Sequence, residues 1–376
     1  MAQVNNSQLK RKMEYPYEEA KPRRQIAYVF DTNKCIACQT CTVACKTTWT
    51  AGRGEETIFF NNVETKPYGG YPLRWDVNLL RELKNQRWSA DGSYEGSTIF
   101  EQTAPGERVR GWRPAERDYA YPNIGEDEVV GMLEKGAFFN GMHGSWMFYL
   151  ARICNHCSYP ACLAACPRKA IYKREEDGIV LIDQSRCRGY KECVKACPYK
   201  KTFYNMVTRV SEKCIGCYPL IEKGEQPRCV TTCIGKIRMQ GFMEAAKEPR
   251  KDNPIDMIVN IRKVALPLYP QYGTQPNVYY VPPIHVPGDF LLQMFGPSVK
   301  QAVETYRNIH DDRELLAAFL LFGNTTKIIH SYRAEEHFAV GYNELGDEVV
   351  RVPYTEPVHV RAYYDEKIGT YRHNTP

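Results

Sequence analysis

Cys154-Asn-His-Cys157-Ser-Tyr-Pro-Ala-Cys162-Leu-Ala-Ala-Cys166-Pro167, followed by Cys187-Arg-Gly-Tyr190-Lys-Glu-Cys193-Val-Lys-Ala-Cys197-Pro198, decides how this chain folds. Two more runs flank this pair: Cys35-x2-Cys38-x2-Cys41-x3-Cys45 before it and Cys214-x2-Cys217-x11-Cys229-x3-Cys233 after it. Three of the runs hold four cysteines. In the remaining run Tyr190 stands where a cysteine is due, so the chain has 15 cysteines, an odd number. The chain reads as one unit of strand, cysteine run and helix, used four times.

A loop offering thiolates at i, i+3 and i+6 wraps three corners of a compact polynuclear body. The fourth cysteine, four residues on, is expected where a helix begins, about 6 Å along its axis and pointing away from the first three. It can therefore serve a neighbouring cluster. Pro167 and Pro198 suit either a helix's first turn or a sharp exit from the loop, and Cys45 and Cys233 lack that proline. Structural zinc uses Cys-x2-Cys pairs separated by about 12–20 residues, and Cys214-x2-Cys217-x11-Cys229 alone could pass for half of such a site. Three cysteines in seven residues, with Cys-Pro endings elsewhere, favour iron–sulfur clusters over zinc and over disulfides.

Tyr190 has two readings. A side chain that supplies no ligand leaves its cluster with three irons, the favoured reading; alternatively its phenolate, or a water, binds a labile fourth iron. His156 reads as a donor in the cluster's surroundings or as a plain loop residue before it reads as a ligand. The nearby Arg186, Arg188, Lys191 and Lys195 are expected to offset cluster charge, with contact to acidic partner groups as the alternative.

The 376 residues suffice for two or three domains, and 43% hydrophobic with 25% charged residues excludes wholesale disorder. The net charge of +6 is uneven. Arg152 to Lys213 holds 13 Lys/Arg against six Asp/Glu, leaving about −1 elsewhere. Such a stretch fits anionic clusters. It also admits a distant alternative, a nucleic-acid-associated iron–sulfur protein, which would bind duplex DNA with a steep salt dependence. Residues 1–24 lack an apolar core of the signal-peptide kind. Arg23-Arg24 precedes only five apolar residues, Ile26 to Phe30, which suit a strand. The longest apolar stretch, Leu315 to Phe322, falls far short of the roughly 18–20 residues that span a bilayer, so no membrane span of its own is expected.

Between Lys46 and Ile153 no cysteine occurs. This insert carries Trp49, Trp75, Trp88 and Trp112, with breakers at Gly69-Gly70 and Tyr121-Pro122, and reads as irregular. The acidic turn Glu175-Glu176-Asp177 between two apolar segments predicts a hairpin. Beyond about residue 245, proline-rich text suggests an extended segment, with helices near 288–308 and 312–333. Leu315, Leu316, Phe319 and Leu320 fall at helical spacing, a stripe for core packing first and partner docking second. No constellation for acid–base or nucleophilic catalysis is present, so no catalytic residue is assigned. A stand-alone enzyme would need its own active-site metal, and no cysteine or histidine cluster is left over to bind one.

The runs, with Asn61-Asn-Val-Glu-Thr-Lys-Pro-Tyr-Gly-Gly-Tyr-Pro72, Arg152-Ile-Cys-Asn-His-Cys157, Leu163-Ala-Ala-Cys-Pro-Arg-Lys-Ala-Ile-Tyr-Lys173, Cys187-Arg-Gly-Tyr190 and Val264-Ala-Leu-Pro-Leu-Tyr-Pro270, resemble the iron–sulfur β subunits of respiratory molybdenum oxidoreductases. Within that family the sequence is most similar to the β subunits of nitrite oxidoreductase and nitrate reductase. The resemblance covers most of the chain. It implies an α+β fold with a double ferredoxin-like core, a long irregular insert and a C-terminal extended and helical docking region. The corresponding division is an arm over 1–24, one ferredoxin-like unit from 25–50 with 210–245, the insert 51–150, a second unit 151–209, and the docking region 246–376. It also implies crossed ligation. Cys35, Cys38, Cys41 and Cys233 would hold one [4Fe–4S] cluster, and Cys45, Cys214, Cys217 and Cys229 a second. Cys154, Cys157, Cys162 and Cys197 would hold a third, while Cys166, Cys187 and Cys193 would hold a [3Fe–4S] cluster at the vacancy left by Tyr190. This scheme uses all 15 cysteines. The implied partners are a catalytic α subunit carrying molybdenum with a bis-guanine-dinucleotide pterin (bis-MGD) and a haem-bearing γ subunit or cytochrome, with no nucleic acid. Export together with a twin-arginine α partner would place the chain outside the cytoplasm; the cytoplasmic face of the membrane is the alternative. Nitrite or nitrate is the expected substrate of the complex, with perchlorate, chlorate, selenate or hydrocarbon (ethylbenzene-type) enzymes as alternatives.

Overall fold

Gln25-Ile-Ala-Tyr-Val-Phe-Asp31 forms an inner strand of a four-stranded sheet. Arg238–Met243 pairs with it antiparallel, Arg238 opposite Phe30, and Val278–Val281 runs parallel on its other side, Val278 opposite Tyr28. Leu266–Pro267 completes the sheet. Successive strand side chains face opposite ways. Ile26, Tyr28 and Phe30 accordingly enter one core with Trp75, Tyr199, Tyr269 and Tyr280. Ala27 and Val29 enter another with Ile255, Leu315 and Phe319. The computed structural model describes residues 2–20, 22–67, 69–120, 146–244, 248–355 and 363–372. The break expected at Tyr121-Pro122 lies outside them.

This sheet brings the first cysteine run, which leaves Asp31, beside the end of the last run, which enters at Arg238. Between them in sequence lie two small hairpins. Ile171–Lys173 pairs with Val180–Ile182 around the acidic turn, as expected, and Thr202–Tyr204 pairs with Ser211–Lys213. Asn205 closes the second by accepting from the backbone N–H of Val207 and Thr208, the side-chain turn that asparagine favours. Near the N-terminus, Ala2–Asn6 and Arg11–Tyr15 form a hairpin that sends Val4, Met13 and Tyr15 into the first core.

The helices of the cysteine runs start earlier than their spacing suggests. Cys41 and Cys45 both lie inside Thr40–Trp49, Cys162 inside Ala161–Ala165, Cys193 inside Glu192–Ala196 and Cys229 inside Arg228–Thr231. Cys166 and Cys197 therefore end a helical turn. Each has an extended backbone, ψ 112° and 114°, because a following proline disfavours the α region for the residue before it. Cys45 has no proline after it, and its helix runs on to Trp49.

The C-terminal region also departs from expectation. Gly296, at φ 78°, and Pro297 split the first expected helix into Gly288–Phe295 and Val299–Arg307. The second, Arg313–Leu320, is capped by the Asp312 side chain accepting from the Leu315 N–H, and it stops well short of residue 333. Ser331–Ala334, Phe338–Tyr342 and Glu348–Pro353 form a three-stranded antiparallel sheet instead. Leu315 and Phe319 are buried, so the apolar stripe serves core packing.

Asn62–Lys66 pairs antiparallel with Phe148–Arg152, and the two strands close the insert, which contains the helix Trp75–Glu82. Four charged side chains are buried at this closure. Arg152 donates from Nε to Glu64 Oε1 at 2.6 Å, from Nη1 to the Tyr199 carbonyl at 2.7 Å and from Nη2 to the Tyr71 carbonyl at 2.7 Å. Its guanidinium lies 4.0 Å from the centroid of the Trp75 ring. Lys66 pairs with Asp76 at 2.7 Å, and Tyr269 donates to the same carboxylate at 2.8 Å. The network ties the insert to Tyr199, two residues past Cys197, and to the chain just before Cys154. Two cations and two carboxylates balance, so removing one partner strands a buried charge. Glu64→Gln is expected to cost about 3–5 kcal/mol, read as a lower guanidinium midpoint of the cluster-loaded protein. A loss under about 1 kcal/mol contradicts the role given to this network.

Candidate metal centre

All fifteen cysteines are unbridged thiols, and eight of them line two cavities. Cys35, Cys38, Cys41 and Cys233 line one cavity with Gln39, Val63 and Arg238. Cys154, Cys157, Cys162 and Cys197 line a second with His156, Tyr199 and Lys201. Burial pushes the Cys45 thiol up, and Cys214, Cys229 and Cys217 are the neighbouring thiols that push it further. Burial likewise pushes Cys193 up to about 12, with Cys166 and Cys187 among the thiols beside it. Each cavity draws its thiols from two runs. Tyr190 is 59% exposed, on the surface next to the last group.

Backbone conformation makes the loops concave. Ala37 and Gln39 in the first run, His156 in the second, Gly189 and Lys191 in the third, and Gly216 and Cys217 in the fourth all have positive φ. Left-handed residues among right-handed ones turn successive N–H groups toward one point, a cradle for anions that iron–sulfur sites use. Sulfur acceptors are supplied as well. Cys166 Sγ accepts from the Ala170 N–H at 3.3 Å, Cys187 Sγ from Ser211 at 3.4 Å and Cys197 Sγ from Lys201 at 3.4 Å. Trp49 Nε1 donates to Cys217 Sγ at 3.2 Å.

His156 is buried, and its Nδ1 accepts from the Val180 N–H at 3.1 Å. Burial, then the nearby Lys213 and Lys173, hold it well below the ordinary histidine range, so it is neutral with its proton on Nε2. That Nε2 has no partner among the described residues. Lys173 braces the same loop through the carbonyls of His156, Cys157 and Gly178, at 3.3, 3.1 and 2.9 Å.

The cations that face the thiols differ from those expected. Arg186 and Arg188 are exposed, and Lys195 pairs with Glu107 at 2.6 Å. Lys191 lies over the Tyr204 ring. Surface charge is screened by water, whereas buried charge is not. The cations buried beside the thiols include Arg238 and Lys213, 1% and 3% exposed, and Lys201, 1% exposed, whose pKa burial lowers to about 7. Among the described residues none of them has a carboxylate at ion-pair distance. Arg238 Nη2 donates to Cys41 Sγ at 3.0 Å, and its Nε has no partner among the described residues. Lys213 donates to the Cys214 carbonyl at 2.8 Å. Burial works to lower the pKa of both groups, yet neighbouring thiols hold both up, Cys41 foremost for Arg238 and Cys154 for Lys213. The sequence carried a basic stretch but no sign of which cations fold inward; Arg238 gains its place only through sheet register.

Buried cations without counter-charge, sulfur-lined cavities and anion-cradling loops fit an anionic iron–sulfur body. Zinc would draw its thiolates to about 2.3 Å from one point. Among the described residues no three His, Cys, Asp or Glu side chains are placed to hold a single ion.

A family model described as a 4Fe-4S dicluster domain matches residues 145–243. The chain is 47% identical over 309 residues to the selenate reductase β subunit of Thauera selenatis, covering 75% of this chain and 90% of that one. It is 46% identical over 315 residues to the chlorate reductase β subunit of Ideonella dechloratans, with the same coverage. Identity to the respiratory nitrate reductase β subunit of Haloferax mediterranei is 43% over 311 residues, 75% of this chain and 84% of the relative. The chain belongs to the iron–sulfur β subunits of molybdenum oxidoreductases, the electron-transfer partners of a molybdenum-bearing catalytic subunit. Among the described residues no helix is long and apolar enough to cross a membrane.

Iron extraction leaves Arg238 and Lys213 buried with no anion, at about 3–5 kcal/mol each. Anaerobic chelation is therefore expected to abolish or sharply lower the thermal transition followed by near-UV circular dichroism. An apoprotein melting with the loaded form contradicts this account.

Proposed function

We propose that the chain carries three [4Fe–4S] clusters and one [3Fe–4S] cluster and relays electrons between a molybdenum bis-MGD catalytic subunit and a haem-bearing partner. Iron–sulfur clusters take up and release single electrons; the residues here hold, insulate and space them. The ligand sets are Cys35, Cys38, Cys41 and Cys233; Cys45, Cys214, Cys217 and Cys229; Cys154, Cys157, Cys162 and Cys197; and, with three irons, Cys166, Cys187 and Cys193. The first two sets lie in one ferredoxin-like unit, 25–50 with 210–245, and the others in a second, 151–209. The observation that carries this reading is that two cavities each gather four thiols from two runs; the scheme extends that crossing to the other seven cysteines and leaves none over.

The exposure of the groups supports a wire running from surface to surface. The thiols of the second set are all buried, as are three of the four in the third. The first set comes to the surface at Cys38, amid Ile36, Val43 and Ile234, which are 65%, 58% and 65% exposed. The three-iron set comes to the surface beside Tyr190, with Tyr172 and Met206 also exposed. Apolar side chains clustered at the two ends suit surfaces that partners cover. The catalytic subunit takes the Cys38 end and the haem partner the Tyr190 end.

The complex is read as acting on nitrite or nitrate, in keeping with the nitrate reductase relatives. The slightly higher identities to selenate and chlorate reductase subunits favour a second reading, the same wire serving one of those oxyanions. Dye-linked assays of the co-purified complex with nitrite, nitrate, selenate and chlorate decide between them.

Anaerobic analysis should give about 15 iron and about 16 sulfide per chain; about eight iron removes the four-cluster scheme. The oxidised protein should give the EPR signal of an oxidised [3Fe–4S] centre. Tyr190→Cys supplies the missing thiolate and should replace that signal with a fourth [4Fe–4S] cluster of lower potential. Persistence of the signal in that variant overturns the assignment of Cys166, Cys187 and Cys193.

A further inference from the structure

Arg238 sits where two of the thiol groups meet. Nη2 donates to Cys41 Sγ at 3.0 Å, Nη1 donates to Asn61 Oδ1 at 2.8 Å, and Nε has no partner among the described residues. The side chain is 1% exposed, and its guanidinium lies 4.4 Å from the centroid of the Phe30 ring. The thiols that act on it electrostatically are Cys41, Cys233 and Cys35 of the first group and Cys229 of the second. Antiparallel register opposite Phe30 fixes its position, so the charge is held by the sheet and not by a loop. Lys213 repeats the arrangement at the next junction, 3% exposed, with Cys214 on one side and Cys154 and Cys162 on the other.

An arginine keeps its charge throughout the accessible pH range. In a dry interior its field is weakly screened and reaches the anions on both sides. An electron added to either side is stabilised by the same cation, and the hydrogen bond to Cys41 adds to this on the first side. We propose that Arg238 is a junction cation that raises the reduction potentials of the first and second clusters together. The inference rests on the ligand sets proposed above.

Redox titration followed by EPR, made on the complex with its catalytic partner, tests it. Arg238→Gln is expected to lower the potentials of two [4Fe–4S] clusters, each by at least tenfold in its reduction equilibrium, about 59 mV for a one-electron couple. The third [4Fe–4S] cluster and the three-iron cluster stay where they are, and Arg238→Lys restores most of the shift. Should Arg238→Gln fail to load its clusters, Asn61→Asp sets a carboxylate against the intact guanidinium and should lower the same two potentials. Unchanged potentials in the loaded variant, or a shift confined to one cluster, overturn the proposal. A wrong ligand scheme declares itself separately, as iron in the unaltered protein that departs from about 15 per chain.

Discussion

Buried positive charge with no carboxylate to meet it is the constraint on which this structure depends. Arg238 and Lys213 lie in the interior, and among the described residues they donate to the Cys41 sulfur, the Asn61 amide oxygen and backbone carbonyls. An isolated cation in such a place costs several kcal/mol. Thiols packed beside one another resist ionising for the same reason, which is why burial and neighbouring sulfurs drive Cys193, Cys214 and Cys229 up to about 12. Each half of the arrangement is unfavourable alone. An iron–sulfur cluster resolves both, because iron favours the thiolates and the resulting anion faces the cations. Loading of the clusters and folding of the core are, on this view, one event.

The buried network at Glu64, Lys66, Asp76 and Arg152 is a contrasting case. It is neutral within the protein, needs no cluster, and joins the insert to the third thiol group through Tyr199 and the backbone next to Cys154. The insert thus fixes the position of a group to which it contributes no thiol. Trp75, stacked against Arg152 and donating from Nε1 to Glu64 at 3.0 Å, keeps water from this joint.

Much of this was legible in the sequence where the signal was local. The cysteine spacing, the strand before the first run and the hairpin at Glu175-Glu176-Asp177 depend on neighbours in the chain, and each is visible in residue type and order. The start of the run helices was misjudged because spacing alone does not separate a helix that opens at the fourth cysteine from one that closes there. Pro167 and Pro198 held the information, since each forces the cysteine before it out of the helix. The C-terminal sheet is not legible in the helical stripe at Leu315–Leu320, because the helix stops before Gly323, where φ is +65°. Arg238 and Lys213 were beyond a sequence reading. Their significance comes from which residues lie opposite them, and register across a sheet is a long-range property.

The central claim is that each cluster is gripped by two runs and that one of the four lacks a fourth protein ligand. The most direct measurement is an iron-resolved density map of the intact complex, by cryo-electron microscopy or anomalous diffraction. The account predicts four compact iron bodies along a line from Cys38 to Tyr190. Three should be held by four cysteines drawn from two runs, and the last should contain three irons with no density joining it to the Tyr190 oxygen. A cluster bound by the four cysteines of a single run, or a fourth iron bridged to Tyr190, would contradict it.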